Sequence, residues 1–221
     1  MLPLHCMNVD RLIKRYFTAG DQHPMIEVFD HDTIYGTYRD IVSLLNSYPD
    51  VEVSVLQALS YCFYEVLDNV IIHAEKHAGT IITDYDEQQH SLRIVVADDG
   101  IGVHQSLTAN ALYKNLTEPE ALHAAIKDRV TDGQGLGFGL YATNLLIKHT
   151  NSAFEIRSGH HRLVMNGESI LVEEAEFWQG TIVYMRLRTN AEIDPNDVVE
   201  RRTDIEDEYN IMFNEENPEA L

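Results

Sequence analysis

The chain is poor in basic residues, cysteine, tryptophan and proline: 16 Lys and Arg stand against 36 Asp and Glu, with two cysteines, one tryptophan and six prolines in 221 residues. The resulting net charge of -20 repels phosphate backbones, which sets nucleic-acid binding aside. Cys6 and Cys62 are far apart and lack paired metal-ligand spacing, so neither a disulfide framework nor a thiolate metal site is expected. Cys62 falls on an apolar stripe and reads as a small core residue in a reducing compartment. There is no run of 18 apolar residues and no charged-then-apolar leader, so the expectation is a cytoplasmic protein with neither membrane span nor signal peptide. Gly-x-x-x-x-Gly-Lys-Ser/Thr is absent, which excludes a P-loop. His160-His161 reads as an isolated loop pair, and Gly79 is expected to close the helix that spaces His73 and His77 by four, so no histidine metal centre is expected.

What the chain does have begins at LSYCFYEVLDNVIIH, residues 59 to 73. At about 100° per residue, Leu59, Cys62, Phe63, Val66, Leu67, Val70 and Ile71 share one helical face. Glu65, Asn69 and His73 recur at intervals of four along its border, where side chains leave the core and meet a cavity. A carboxylate and an amide buried there without partners would each cost roughly 1–3 kcal/mol, so that edge calls for a ligand or for water.

Two later segments share this character. In LRIVVADDGIGV, residues 92 to 103, a β-rich run stops at Asp98-Asp99 and turns through Gly100 and Gly102, which lets a carboxylate and the backbone approach a ligand closely. In DGQGLGFGLYATNLLIKH, residues 132 to 149, Gly133, Gly135, Gly137 and Gly139 feed a helix whose free N–H groups and dipole favour phosphate. Residues 137 to 142 also fit Gly-x-Gly-x-x-Gly/Ala, with Glu155 downstream, but the polar RVTDGQGL precedes them where a dinucleotide site needs a buried strand.

Taken in order, these three segments resemble the ATP-binding domain of the GHKL superfamily, the gyrase, histidine-kinase and mismatch-repair-like ATPases with the Bergerat fold. The resemblance covers about residues 55 to 188. It implies ATP and Mg2+ as cofactors. Glu65 would polarise the attacking water or hydroxyl, Asn69 would be the magnesium ligand, and His73 would face the phosphates as a second catalytic candidate. Asp98 would accept the adenine amino group, with Gly100 and Gly102 shaping the pocket wall. Gly135, Gly137 and Gly139 match the second glycine box, whose amides wrap phosphates, and Thr181 of the closing Gly180-Thr181 pair would lie near adenine. Phosphoryl transfer needs positioning and charge neutralisation more than covalent help, so this set is sufficient. Residues 104 to 131 would form the ATP lid, with Lys114, Lys127 and Arg129 as candidates to reach the phosphates on closure, while Asp99 and Asp132 read as exposed turn acids.

The fold expected is an α+β two-layer sandwich: a mixed, largely antiparallel sheet with helices on one face. Three parts are expected: residues 1–50 as an N-terminal extension and candidate homodimer interface, 51–189 as the ATP-binding domain, and 190–221 as an acidic tail. That tail holds eleven acidic and two basic side chains. Strands are predicted at about 25–29, 33–35, 80–85, 92–97, 153–158, 162–165, 169–173 and 181–187. Helices are predicted at about 37–47, 52–77 and 139–149. Residues 159–179 look like an insertion in which Trp178 packs on the core.

A complete sensor kinase is not expected, because no dimerising hairpin precedes the first motif and His31-Asp32 sits in a strand-and-turn pattern. EVLDNVIIHA resembles the stand-alone members of the superfamily, including the anti-sigma-factor serine kinases. That implies a domain phosphorylating or sequestering a protein partner, such as a small STAS-type regulator. The alternative is a nucleotide-gated binding module with little turnover.

Overall fold

The structure, a computed structural model, describes residues 9–17, 24–73, 78–133 and 137–199. In chain order its elements are α1 (Val9–Tyr16), β1 (Met25–Asp30), α2 (Ile34–Asn46), α3 (Val53–His73), β2 (Ala78–Asp86) and β3 (Ser91–Ala97). Then come α4 (Gly102–Ala109), α5 (Glu118–Ala125), α6 (Gly139–His149), β4 (Ala153–Asn166), β5 (Ser169–Arg188) and a 3-10 turn at Pro195–Asp197. The five strands form one sheet in the order β1-β2-β3-β5-β4, and every pairing is antiparallel.

Alternation along the strands divides the sheet into two faces. Ile81, Leu92, Ile94, Val96, Phe154, Ile156, Val183, Met185 and Leu187 point inward and form the main core with α2, α3 and α6. The stripe expected on α3 supplies Leu59, Cys62, Phe63, Val66, Leu67 and Val70, all buried. By length and composition α3 is long and apolar enough to cross a membrane, and here it is the central helix of this core, against α2 and α6. Cys62 is fully buried there, and burial pushes its thiol pKa up, so it packs and does not react.

The helices do not all lie on one face. Leu12, Tyr16 and Phe17 of α1 pack on Ile82, Val95, Ala97, Trp178 and Ile182 on the opposite side of the sheet. No helix was expected before residue 37, because so short an amphipathic segment is held by its seat on the sheet and not by propensity. Residues 25–46 are built into the domain: β1 pairs with β2, and Phe29, Tyr38, Ile41 and Leu45 join the core.

Three local expectations are corrected. Residues 33–35 are not a strand. The Asp30 side chain accepts the Thr33 hydroxyl at 2.8 Å and the Asp32 and Thr33 N–H groups at 3.0 Å, folding a turn from which α2 starts at Ile34. Gly79 does not close a helix but lies in β2, where a Cβ would meet the Phe29 ring at 2.6 Å and Val70 at 2.8 Å. The separate strands expected between 153 and 187 are two long ones, β4 and β5, joined as a ribbon.

That ribbon contains residues 159–179. Its register shifts between Ser158 and His161, after which it doubles back, and the Gly167 N–H donates to the Ser152 carbonyl at 2.9 Å. Leu163 and Met165 are thereby fully buried in the cluster that holds Leu122 and Ile126. Ala191, Ile193, Val198 and Val199 return to the same core, so the chain after β5 begins packed; residues 200–221, and with them most of the acidic tail, lie outside the described residues.

Candidate functional site

A cavity of about 150 Å³ opens between α3, the end of β3, α4, the loop before α6, and β5. Glu65, Asn69, Asp98, Gly102, Gly137, Gly139 and Thr181 all line it, so most of the residues singled out in the sequence converge on one space. Gly100 stands behind that wall, donating its N–H to Asp98 Oδ1 at 2.8 Å. Gly135 lies outside the described residues, and so does the side chain of His73, whose backbone ends α3.

At one end, burial lifts the Asp98 carboxyl from its ordinary 3.8 to about 6, against the opposing pull of the Gly100 and Thr181 backbone hydrogen bonds. Asp98 is only 4% exposed and sits where the β3–β5 ladder opens, its N–H donating to the Thr181 carbonyl at 2.9 Å. Gly180 adopts φ +87°, and a Cβ there would stand 2.5 Å from both Asp98 O and Oδ1. The close passage of β5 against this turn therefore requires glycine. Ser158 Oγ donates to the Gly180 carbonyl at 2.8 Å and accepts the Val103 N–H at 3.0 Å, which fixes the start of α4 to both long strands. Val66, Val70, Val96, Val103, Leu107 and Val183 give the same cavity an apolar lining. A buried carboxylate at an apolar slot suits a flat ring that presents an N–H donor.

The other end is polar. Glu65 lies against the first turn of α6, so close that a Cβ on Gly139 would meet Glu65 Cβ at 2.6 Å and Oε2 at 2.8 Å. Gly139 thus lets the Glu65 carboxylate sit at the helix N-terminus. Gly137 turns with φ +68°, and its carbonyl accepts the Arg129 N–H at 3.1 Å, closing the loop onto residues 129–130. The first residues of α6, Gly139 and Leu140, line the same space as Glu65 and Asn69, and a helix N-terminus in that place suits phosphate oxygens.

Sequence reasoning missed several lining residues. Asp68 shares the edge with Glu65 at i+3 spacing, a signal that was legible. Asp132 is no exposed turn acid: it lines the cavity and accepts the Ser106 hydroxyl at 2.8 Å. Lys114, Lys127 and Arg129 are exposed, and none lines the cavity. The segment expected as a lid is ordered into α4 and α5 around Leu107, Ala121 and Ala125. Among the described residues no cluster of three His, Cys, Asp or Glu forms a metal site.

No curated protein matches the chain. A family model described as histidine kinase-, DNA gyrase B-, and HSP90-like ATPase matches residues 55–191, the span from α3 through β5 that encloses the cavity. On that match, over more than half of its length, the chain belongs to this family of ATP-binding domains.

Proposed function

We propose that the domain binds ATP with magnesium and transfers the γ-phosphoryl group to a protein partner, as a regulatory kinase of cytoplasmic signalling. The observation that carries this reading is the polarity of the cavity: a buried carboxylate in an apolar slot at one end, and Glu65 with Asn69 before the α6 N-terminus at the other. Asp98 accepts the adenine amino group. Thr181 lies beside it, and Gly137 and Gly139 bring backbone N–H groups to the phosphates.

The donor set suits a hard cation that takes oxygen ligands, with Asn69 as the protein ligand and Glu65 and Asp68 nearby. Bound magnesium supplies charge neutralisation to the phosphates. Glu65 takes the proton of the attacking hydroxyl. His73 is the second catalytic candidate, next to the phosphates. The partner is a small regulatory protein, for which a STAS-type domain is the first choice to test. The β1 edge is the candidate homodimer interface, since Ile26 and Val28 are 44% and 56% exposed on it.

One observation favours the second reading, a nucleotide-gated binding module. Glu118, which begins α5 in the lid, holds the His160 N–H at 3.0 Å and His161 Nδ1 at 2.8 Å on the β4–β5 ribbon. A lid pinned to a ribbon can display nucleotide state on the surface with little turnover.

The test is calorimetry with ATP, with and without magnesium, together with γ-phosphate release, on wild type, Asp98→Asn and Glu65→Ala. Magnesium-dependent binding lost in Asp98→Asn and kept in Glu65→Ala, with turnover lost in Glu65→Ala, is the expected pattern. Absence of ATP binding in wild type overturns the reading, and binding without any turnover or transfer moves it to the gated module.

A further inference from the structure

We propose that Trp178 is a positioning residue for base recognition, holding the turn at Asp98–Gly100 and tying it to the docking of α1. The inference rests on the assignment of Asp98 to the base made above. At the end of a sheet, backbone carbonyls lose their ladder partners and need others. Ala97 is the last β3 residue paired with β5, opposite Ile182. Past it, two consecutive side chains of β5 take over. The indole N–H of Trp178 donates to the Asp98 carbonyl at 3.0 Å, and the Gln179 amide donates to the Gly100 carbonyl at 2.8 Å. The peptide carbonyls on either side of Asp99 are therefore set by side chains delivered from the ribbon. A small rotation of that turn swings the Asp98 carboxylate away from the slot.

The other side of the indole belongs to α1. Trp178 is 8% exposed and shares a cluster with Leu12, Tyr16 and Phe17, and the Arg11 guanidinium lies 5.6 Å from its ring centroid. One ring thus touches the N-terminal helix on one side and the base turn on the other. An undocked α1 would expose the indole and loosen its hold on Asp98. Trp178 is also the only tryptophan, so its emission reports this contact without labelling.

The experiment compares ATP with ITP, which carries a keto oxygen where adenine carries the amino group. Affinities are measured by calorimetry on the full chain as wild type, Trp178→Phe, Gln179→Leu and Leu12→Ala, with tryptophan emission followed where Trp178 remains. Wild type is expected to prefer ATP and to change its emission on ATP binding. Trp178→Phe, which keeps an aromatic ring and loses one neutral hydrogen bond, is expected to weaken ATP about fivefold, leave ITP unchanged and shrink the preference accordingly. Gln179→Leu should move the ratio in the same direction with the core intact, which covers the case where Trp178→Phe does not fold. Leu12→Ala should shift the emission and lower the ratio. Should wild type discriminate while both turn variants keep its ratio, or ATP leave the emission unchanged, the positioning role fails and the base assignment stands. An unchanged ratio in Leu12→Ala removes the link to α1. A wild type that does not bind ATP, or binds ATP and ITP equally, fails at the base assignment itself.

Discussion

The two faces of the sheet are built by different rules. The inner face, under α2, α3 and α6, is almost wholly aliphatic and aromatic, and its strands alternate cleanly into that core. The outer face, under α1, mixes an apolar patch with buried charge. Glu155 is 7% exposed and accepts the Tyr16 hydroxyl at 2.8 Å, with Arg162 at 3.2 Å and Arg15 and Arg157 each at 3.5 Å. Burial, and then the charge of Glu155, push the Tyr16 hydroxyl pKa up. Arg93 and Asp84 pair at 2.6 Å on the same face. Apolar burial is non-directional and stabilises any close-packed arrangement, whereas a buried carboxylate among guanidinium groups is satisfied in only one. The inner face therefore supplies stability, and the outer face specifies where α1 and the ribbon sit.

Three perturbations sharpen that contrast. The largest effect belongs to the inner face: Phe63→Ala should cost about 3–5 kcal/mol in denaturant unfolding, because Phe63 is fully buried in the middle of α3. A loss below about 1 kcal/mol would mean the core collapses freely around the vacancy. On the outer face, Glu155→Ala should cost about 3 kcal/mol, since it leaves Arg157, itself 3% exposed, without its carboxylate. Glu155→Gln should retain part of that stability through Tyr16. An equal loss in both variants would show that charge, and not the hydrogen bond, holds α1.

The smallest effect concerns the carboxylate in the site. The folded-state pKa of Asp98 is raised, from 3.8 to about 6, so the native protein holds this proton more tightly than the unfolded chain. Its contribution to stability is present below about pH 4 and is lost as pH rises through about 6. Asp98→Asn should remove that slope and raise stability at neutral pH by about 1–3 kcal/mol while ATP binding is lost. Wild-type ATP affinity should fall as pH drops below about 6, where the carboxylate takes up a proton and becomes a weaker, neutral acceptor for the amino hydrogen. Parallel pH profiles of stability for wild type and Asp98→Asn would remove burial as the cause of the shift.

Legibility followed range in sequence. The α3 stripe and its polar edge were readable because a helix repeats every 3.6 residues whatever surrounds it. The Asp98 turn and the glycine box were readable because glycine and a strand-end acid mark special backbone locally. The cap of α5 was also written in the chain as Thr117-Glu118-Pro119-Glu120, with Glu120 accepting the Thr117 N–H at 2.8 Å, yet it passed as lid. Asp132 was misread because nothing in its neighbours announces Ser106, 26 residues away. Residues 159–179 looked like an insertion because the ribbon's folding back depends on a register shift between strands, which no local pattern encodes.

By itself, then, the sequence determined the family, the central helix and the residues at both ends of the cavity, because each rests on periodicity or on a short run of neighbours. Only the tertiary structure decided that α1 covers the outer face, that Asp132 joins the site, and that Trp178 reaches Asp98 across 80 residues of chain. Those facts are contacts between segments, and a contact is settled by strand order and register, which emerge when the whole core packs at once.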